Sequence, residues 1–236
     1  MAVESRVLSP ESRVPSTERE TYYPRPTMIQ LPRLYAIVDA AFFPTLQAIS
    51  EFAEQLAAGG CTLLQYRNKG GNARVMLDQA LELRRQSRAR VPAPHVRLIM
   101  NDRADLCLAA EFDGVHVGQE DLSPESVRGI IGAERWLGVS THNPEQMLEA
   151  DRTSADYVAI GPVFSTSSKE RPDPVVGLEG VRRARGLTRK PLVAIGGITR
   201  ENAAAVVAAG ADSVAVISDL LHEPRKSAEE FFRILR

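Results

Sequence analysis

Eight short apolar segments alternate with longer amphipathic segments from Leu34 onward, and this alternation predicts an α/β fold, a single (β/α)8 TIM barrel. The short segments contain few polar residues, which is typical of parallel strands that are buried on both faces. The chain has 236 residues, a length that suits one such barrel.

The predicted strands are rich in Val, Ile, Leu and Tyr. They are Leu34–Val38, Thr62–Tyr66, Arg97–Asn101, Gly114–Val117, Trp136–Ser140, Tyr157–Ile160, Leu192–Ile195 and Ser213–Ile217. Helical spacing of apolar residues between them predicts helices such as Leu46–Ala58, Ala73–Arg90 and Asn202–Ala209. The alternative is a doubly wound open sheet, whose dinucleotide-binding form requires a glycine-rich turn after the first strand. The chain has Asp39-Ala40-Ala41-Phe42-Phe43 there, so we favour the barrel.

The first 30 residues differ from the rest, because they are rich in Ser, Pro, Glu and Arg and contain only isolated apolar residues. Such a segment buries too little apolar surface to offset the entropy lost on ordering. We therefore expect a flexible, disordered N-terminal tail over residues 1–30 and a barrel domain over residues 31–236.

The composition excludes several partners. The 29 basic and 30 acidic residues give a net charge of −1, so we expect no nucleic acid and no membrane as partner. No apolar run is as long as a membrane span. Cys61 and Cys107 belong to no metal-binding motif and are expected to be buried, reduced thiols. We expect a cytoplasmic protein that binds small molecules, and a homodimer remains open.

Polar residues follow the predicted strands, at the end where (β/α)8 barrels carry their chemistry. They include Gln65, Arg67, Lys69, Asn101, Asp102, His116, Asp121, Ser140, His142, Thr166, Ser168, Lys169, Gly196, Gly197, Ile217 and Ser218. We interpret this collection of cations, carboxylates, hydroxyls and glycines as an active site.

Two phosphate sites are indicated. Gly196-Gly197 and Ile217-Ser218 follow the last two strands, where this fold usually binds phosphate, although a glycine pair also suits a simple tight turn. Arg67, Lys69 and Lys169 form the second candidate, a cluster able to bind a polyanion. Any one of these cations alone would be interpreted as a solvated rim residue.

Asp102 and Asp121 end neighbouring strands, so their carboxylates are candidates to share one Mg²⁺ with substrate phosphate oxygens. Asp121 is also placed where it could cap the fourth helix. His116 lies within a strand and is interpreted as a hydrogen-bonded barrel residue. His142 follows Ser140 and is a candidate either for proton transfer or for a structural role at the start of a helix.

These segments together resemble the thiamine-phosphate synthase family over residues 32–235. The resemblance is carried by Leu34–Asp39, Gln65–Lys69, Asn101–Leu106, Asp113–Asp121, Gly138–His142, Gly161–Phe164, Ala194–Ile198 and Gly210–Asp212. The run His116–Asp121, in register with Asn101-Asp102, is a specific signal of the family. The family couples 4-amino-2-methyl-5-hydroxymethylpyrimidine diphosphate to thiazole phosphate, or to its carboxylate, and releases pyrophosphate.

The resemblance implies a role for each candidate. Gln65, Arg67, Lys69, Asn101, Ser140 and Lys169 would hold the pyrimidine diphosphate, with Arg67, Lys69, Ser140 and Lys169 as the catalytic residues. Asp102 and Asp121 would bind Mg²⁺, and Thr166, Ser168, Gly197, Ile217 and Ser218 would face the thiazole phosphate. The loop Ser165–Lys169 departs from the family's Pro-Thr-x-Thr-Lys pattern but keeps a hydroxyl at Ser168.

The hypothesis for the mechanism is a dissociative displacement, in which pyrophosphate departs before the thiazole nitrogen attacks. Three alternatives are weighed against it. A Schiff-base aldolase is disfavoured because Lys169 lies in a polar loop beyond the sixth strand. A thiazole tautomerase of the same superfamily would not need the cations and carboxylates of a diphosphate site, and neither would a non-catalytic phosphate-binding module.

Overall fold

A computed structural model gives the structure of the protein and describes residues 29–89, 95–166 and 173–236. Residues 1–28 lie outside the described residues, so the disordered tail stays a prediction. In the described ranges, strands and helices alternate from Leu34 to Ile234.

The eight strands are β1 (Leu34–Asp39), β2 (Leu63–Arg67), β3 (Arg97–Asn101), β4 (Gly114–Val117), β5 (Trp136–Thr141), β6 (Tyr157–Ile160), β7 (Leu192–Ile195) and β8 (Ser213–Val216). The helices are α1 (Leu46–Ala58), α2 (Ala73–Ala89), α3 (Ala104–Ala109), α4 (Pro124–Ile131), α5 (Pro144–Arg152), α6 (Gly177–Leu187), α7 (Ala203–Ala208) and α8 (Pro224–Ile234). Short 3-10 helices follow β1 and β8. All eight predicted strands are confirmed to within one residue at each end.

The strands pair in sequence order, all parallel, and β8 pairs with β1 to close the barrel. The predicted (β/α)8 barrel is therefore confirmed. The register brings strand ends together: Asp39 lies opposite Arg67, and Asn101 lies opposite His116. The residues that follow the strands consequently surround one mouth.

Apolar side chains form two layers, because each strand is buried on both faces. The larger layer lies between the strands and the surrounding helices and includes Leu56, Leu83 and Phe231. The smaller layer fills the barrel interior and includes Tyr35, Tyr157 and several aliphatic side chains. The two interior tyrosines bring hydroxyl groups into an otherwise apolar space, directly below the mouth.

The helices of the described ranges include none with both the length and the apolar character needed to cross a membrane.

Candidate active site

A cavity opens at the carboxyl ends of the strands and brings together eight of the residues to which the family resemblance assigns a substrate. One side is formed by Gln65, Arg67, Asn101 and Ser140, from β2, β3 and β5. The opposite side is formed by Thr166, Gly197, Ile217 and Ser218, from the loops after β6, β7 and β8. The residues expected to hold the two substrates thus face each other across one space.

Arg67 lines the cavity, and an ion pair fixes the orientation of its side chain. It ends β2 beside Asp39, which ends β1, and Nη1 of Arg67 donates to Oδ2 of Asp39. The Asp39 side chain is 2% exposed and the Arg67 side chain 18%. The other carboxylate oxygen of Asp39 accepts from the amide of Ala41 at 3.1 Å. Asp39 therefore fixes the guanidinium from below and leaves other N–H groups of its fork available to an anion.

Lys69, Asp102 and Asp121 form a charged group beside the cavity. The Lys69 ammonium donates to Oδ2 of Asp102. The Asp102 carboxyl lies within hydrogen-bonding reach of that of Asp121, and its pKa is raised above its usual range. Burial is the largest cause, the ammonium of Lys69 opposes it, and the adjacent carboxyl of Asp121 reinforces it. The predicted pairing of the two carboxylates is thus present.

Local backbone geometry holds both aspartates in place. Asp102 has a φ of 61°, in the left-handed region that Asp tolerates better than most residues, and its amide donates to the carbonyl of His116 at 2.8 Å. Oδ2 of Asp121 accepts from the amide of Gly118 at 2.7 Å, which closes a tight turn after β4.

The alternative role of Asp121 as a helix cap is wrong. Ser123 caps α4 instead, and its side chain accepts from the amide of Ser126. The helix begins at Pro124, too far along the chain for Asp121 to reach its first free amides. Among the described residues no group of three or more His, Cys, Asp or Glu side chains is arranged to hold a metal ion. The two aspartates form a pair rather than a complete ligand set.

A continuous chain of polar side chains crosses the barrel interior. Nε2 of Gln65 donates to the hydroxyl of Tyr35 at 2.8 Å, and the hydroxyls of Tyr35 and Tyr157 lie 3.0 Å apart. The Tyr157 hydroxyl lies 3.1 Å from Nδ1 of His116, and Nε2 of His116 lies 2.8 Å from Oγ of Ser140. The expectation that His116 is a hydrogen-bonded barrel residue is confirmed. Burial raises the pKa of both tyrosines, so both hydroxyls stay protonated.

The loops after β7 and β8 form the opposite side of the cavity, and we call the part that contains Gly197, Ile217 and Ser218 the cradle. Gly197 has a φ of 62°, and a Cβ there would lie 2.5 Å from the carbonyl oxygen of Ser165. Only glycine therefore lets the loop after β7 pack against the loop after β6. Arg200 joins this loop to the one after β8, because its amide and Nε donate to Asp219 at 2.9 and 3.0 Å and its Nη1 donates to Glu230.

His142 lies at the mouth with both ring nitrogens near acceptors. Nδ1 lies 2.6 Å from the carbonyl oxygen of Gly161, which requires that Nδ1 carries the proton, and Nε2 lies 3.4 Å from Oδ2 of Asp173. Its amide donates to Oε1 of Gln146 in the first turn of α5. These contacts support the structural role at a helix start more than proton transfer.

Two predicted site residues, Ser168 and Lys169, lie outside the described residues. The sequence analysis also missed four contributors. Asp39 orients Arg67, Tyr35 and Tyr157 link Gln65 to His116, and Arg200 joins the two cradle loops. Asp39 could have been found in the same way as Asp102, because it too is a carboxylate at the end of a strand.

Comparison with known proteins agrees with this geometry. The family model for thiamine monophosphate synthase matches residues 34–220. A thiamine-phosphate synthase of Koribacter versatilis is 60% identical over 210 residues, which cover 88% of this chain and 97% of that protein. Another, from Chloroflexus aurantiacus, is 45% identical over 189 residues, or 79% of this chain and 83% of that protein.

A solved structure gives the same result. Thiamine phosphate pyrophosphorylase from Pyrococcus furiosus superposes with a TM-score of 0.75 at 34% identity, covering 86% of this chain and 95% of that one. The residues that the family model matches include all eight strands of the barrel. The chain belongs to the thiamine-phosphate synthase family.

Proposed function

We propose that this barrel condenses 4-amino-2-methyl-5-hydroxymethylpyrimidine diphosphate with thiazole phosphate, or with its carboxylate and loss of CO₂, to give thiamine phosphate and pyrophosphate. One observation carries the proposal beyond the family relationship. Arg67 lines one side of the cavity, Lys69 and a pair of carboxylates lie beside it, and a glycine-containing cradle forms the opposite side. A reaction that joins two phosphorylated substrates needs two anion sites that face each other.

The diphosphate is assigned to the β2–β5 side. Arg67 offers a preorganised fork, and Lys69 supplies an ammonium on a side chain that is 55% exposed. Gln65, Asn101 and Ser140 supply neutral polar groups on the same wall. Lys169, from the loop after β6, is proposed to complete the cation cluster over the departing group.

Mg²⁺ is proposed as the cofactor, held by Asp102 and Asp121. The donor set fits, because two carboxylates lie side by side where Mg²⁺ would also bind substrate phosphate oxygens and water. When bound, Mg²⁺ would neutralise charge on the diphosphate and make pyrophosphate a better leaving group. Lys69, which pairs with Asp102 here, is then free to donate to the diphosphate.

The thiazole phosphate is assigned to the cradle of Gly197, Ile217 and Ser218, and Thr166 and Ser168 are proposed to bind it as well. The clamp of Arg200 on Asp219 keeps the loops after β7 and β8 at a fixed separation. A cradle of fixed shape holds the thiazole nitrogen towards the pyrimidine and lowers the entropic cost of the encounter.

The reaction is proposed to be a dissociative displacement. The C–O bond to the diphosphate breaks first, both electrons leave with pyrophosphate, and the aminopyrimidine stabilises the cationic methylene carbon. The lone pair of the thiazole nitrogen then forms the new C–N bond. The protein stabilises the negative charge that develops on pyrophosphate through Arg67, Lys69, Ser140 and Lys169, and this step needs no general base.

The test is product formation by purified protein, followed by mass spectrometry. Both substrates together are expected to give thiamine phosphate, and either substrate alone is expected to give none. Arg67→Met should slow turnover by about a hundredfold or more, as removal of a charge-stabilising donor usually does. Arg233→Met is the matched control on the exposed face of α8 and should leave the rate unchanged.

Two other outcomes would replace the proposal. Conversion of one thiazole carboxylate isomer into another, without the pyrimidine substrate, would identify a tautomerase. Saturable binding of thiazole phosphate without any turnover would identify a phosphate-binding module.

We also propose a cytoplasmic location, which is supported by the near-neutral charge and by two cysteines that are buried and unpaired. A homodimer stays open, and sedimentation of the full chain would decide it.

A further inference from the structure

A series of hydrogen bonds through the barrel interior links Gln65 to Ser140, and both of these residues face the cavity. The donors and acceptors in this series can be arranged in one direction only. An amide nitrogen donates and never accepts, so the Tyr35 hydroxyl must accept from Nε2 of Gln65. These partners are far apart in the sequence: Tyr157 follows Tyr35 by 122 positions and His116 by 41. Each link is therefore a product of the barrel and not of local structure.

The Tyr35 hydroxyl has two partners among the described residues, Gln65 and Tyr157. Because it accepts from Gln65, its own proton must go to the hydroxyl of Tyr157. The opposite direction would leave a buried Tyr35 proton with no acceptor in the described part of the chain, which native proteins avoid. The Tyr157 proton must then go to Nδ1 of His116, 3.1 Å away.

A histidine whose Nδ1 accepts carries its proton on Nε2 when it is neutral. Nε2 of His116 then donates to Oγ of Ser140 at 2.8 Å, which leaves the Ser140 proton for a group in the cavity. At the other end, Nε2 of Gln65 is taken by Tyr35, so its carbonyl oxygen Oε1 is left to accept. That oxygen forms no hydrogen bond with the described residues.

We propose that Tyr35, Tyr157 and His116 are positioning residues that polarise the substrate wall, so that Ser140 acts as a donor and Gln65 as an acceptor. The proposal rests on the proposed function for the identity of the ligand. The unprotonated oxygens of a diphosphate only accept, and an exocyclic amine on an aromatic ring donates. A donor at Ser140 and an acceptor at Gln65 therefore suit a ligand that carries both groups.

The direction of these hydrogen bonds also explains why the Ser140 hydroxyl needs a histidine as its partner. A serine alone can turn its proton towards any acceptor, and a His116 that accepted would take that proton away from the cavity. With Nε2–H donating, the Ser140 lone pair is engaged and its proton is directed at the anion. A Ser140 O–H that is oriented before the ligand binds stabilises the developing negative charge more than one that must first reorient.

The first test is the tautomer of His116, read by nitrogen NMR of protein labelled with ¹⁵N in its histidine rings. The chain has four histidines, and the His116 signals are those lost in His116→Gln. A neutral ring protonated on Nε2 is expected, both without ligand and with saturating pyrophosphate. A ring protonated on Nδ1, or on both nitrogens, would overturn the proposal, and this measurement needs no turnover.

The second test separates donation from packing. The Gln side chain can place an N–H close to where Nε2 of histidine lies, so His116→Gln should keep kcat/KM for the pyrimidine diphosphate within about threefold, whereas His116→Leu should lower it about tenfold to a hundredfold. The KM for thiazole phosphate should stay unchanged in both. Equal losses in the two variants, or a matching rise in the thiazole KM, would show a structural role only.

Tyr157→Phe gives an independent check, because it removes the donor to Nδ1 and leaves the ring in place. It should release His116 into a mixture of tautomers visible by NMR and lower kcat/KM for the pyrimidine substrate. An unchanged tautomer in this variant would contradict the proposed direction. If the wild-type protein makes no thiamine phosphate, the proposed function fails. The NMR result still decides the direction of the hydrogen bonds between Gln65 and Ser140.

Discussion

Replacing Gly138 by alanine would place a methyl group where the rings of Tyr157 and His116 already lie. Gly138 is on β5 between these two residues, opposite His116 on β4 and opposite Tyr157 on β6. An added Cβ would lie 2.1 Å from Cζ of Tyr157 and 2.4 Å from both its hydroxyl and Nδ1 of His116. Carbon atoms in contact normally stay about 3.5–4.0 Å apart, so at least one ring must move.

The loss of stability can be worked out from the packing and the hydrogen bonds that this movement disturbs. Tyr157 is fully buried, and its hydroxyl contacts both Tyr35 and His116. Overpacking of a core costs about 1–3 kcal/mol, and each hydrogen bond lost from the buried chain adds about 1 kcal/mol. We expect Gly138→Ala to lower the free energy of unfolding by about 3–5 kcal/mol, which corresponds to a fall in Tm of roughly 6–20 °C for a chain of this size.

The assay is urea unfolding followed by circular dichroism, with Gly129→Ala as the matched control. Gly129 lies on the exposed face of α4, and a Cβ there would meet no atom within 4 Å. Alanine in a helix should therefore raise the free energy of unfolding by about 0.5–1 kcal/mol. If Gly138→Ala stays within about 0.5 kcal/mol of the wild type, the interior is not packed as described.

Three further predictions follow from the site and the core. Asp39→Asn leaves the partly buried Arg67 without its counter-charge and should lower the free energy of unfolding by about 1–3 kcal/mol, with saturating pyrophosphate restoring part of the loss; no change in urea unfolding would contradict this. Arg200→Ala loosens the two cradle loops and should raise the KM for thiazole phosphate about tenfold with little effect on kcat, and an effect confined to kcat would refute the clamp. Burial raises the pKa of the thiols of Cys61 and Cys107 to about 12. The unfolded chain releases these protons first, from about pH 8.5, so stability should fall as the pH rises from there to about 12. A thiol reagent should label both cysteines only after unfolding, and labelling of the native protein at pH 8 would contradict their burial.

Much of the fold was predictable because the barrel repeats one local pattern. Each strand is a short run of apolar residues and each helix has its own period, so the boundaries of all eight strands follow from neighbouring residues alone. The pairing of Asp102 with Asp121 was predictable for a related reason. Parallel strands end at the same edge, and consecutive strands in a barrel are adjacent.

The remaining features depend on register and packing, which the local pattern does not encode. The contact of Arg67 with Asp39 requires that β1 and β2 pair with their last residues opposite each other. The contact of Tyr35 with Tyr157 requires both side chains to point inward in a closed barrel. The cap of α4 depended on which of two nearby side chains, Asp121 or Ser123, reaches the free amides, and a shift of two residues decided it.

Release of pyrophosphate is the measurement that tests the central claim most directly. The wild-type protein should release pyrophosphate when both heterocyclic substrates and Mg²⁺ are present and should release little when any one is omitted. Asp121→Ala should lower the rate by about a hundredfold or more, because one carboxylate cannot replace the pair, while Glu54→Ala on the exposed face of α1 should have no effect. Release that is independent of Mg²⁺ and unchanged in Asp121→Ala would contradict the assignment of the site, and no release under any condition would contradict the assigned reaction.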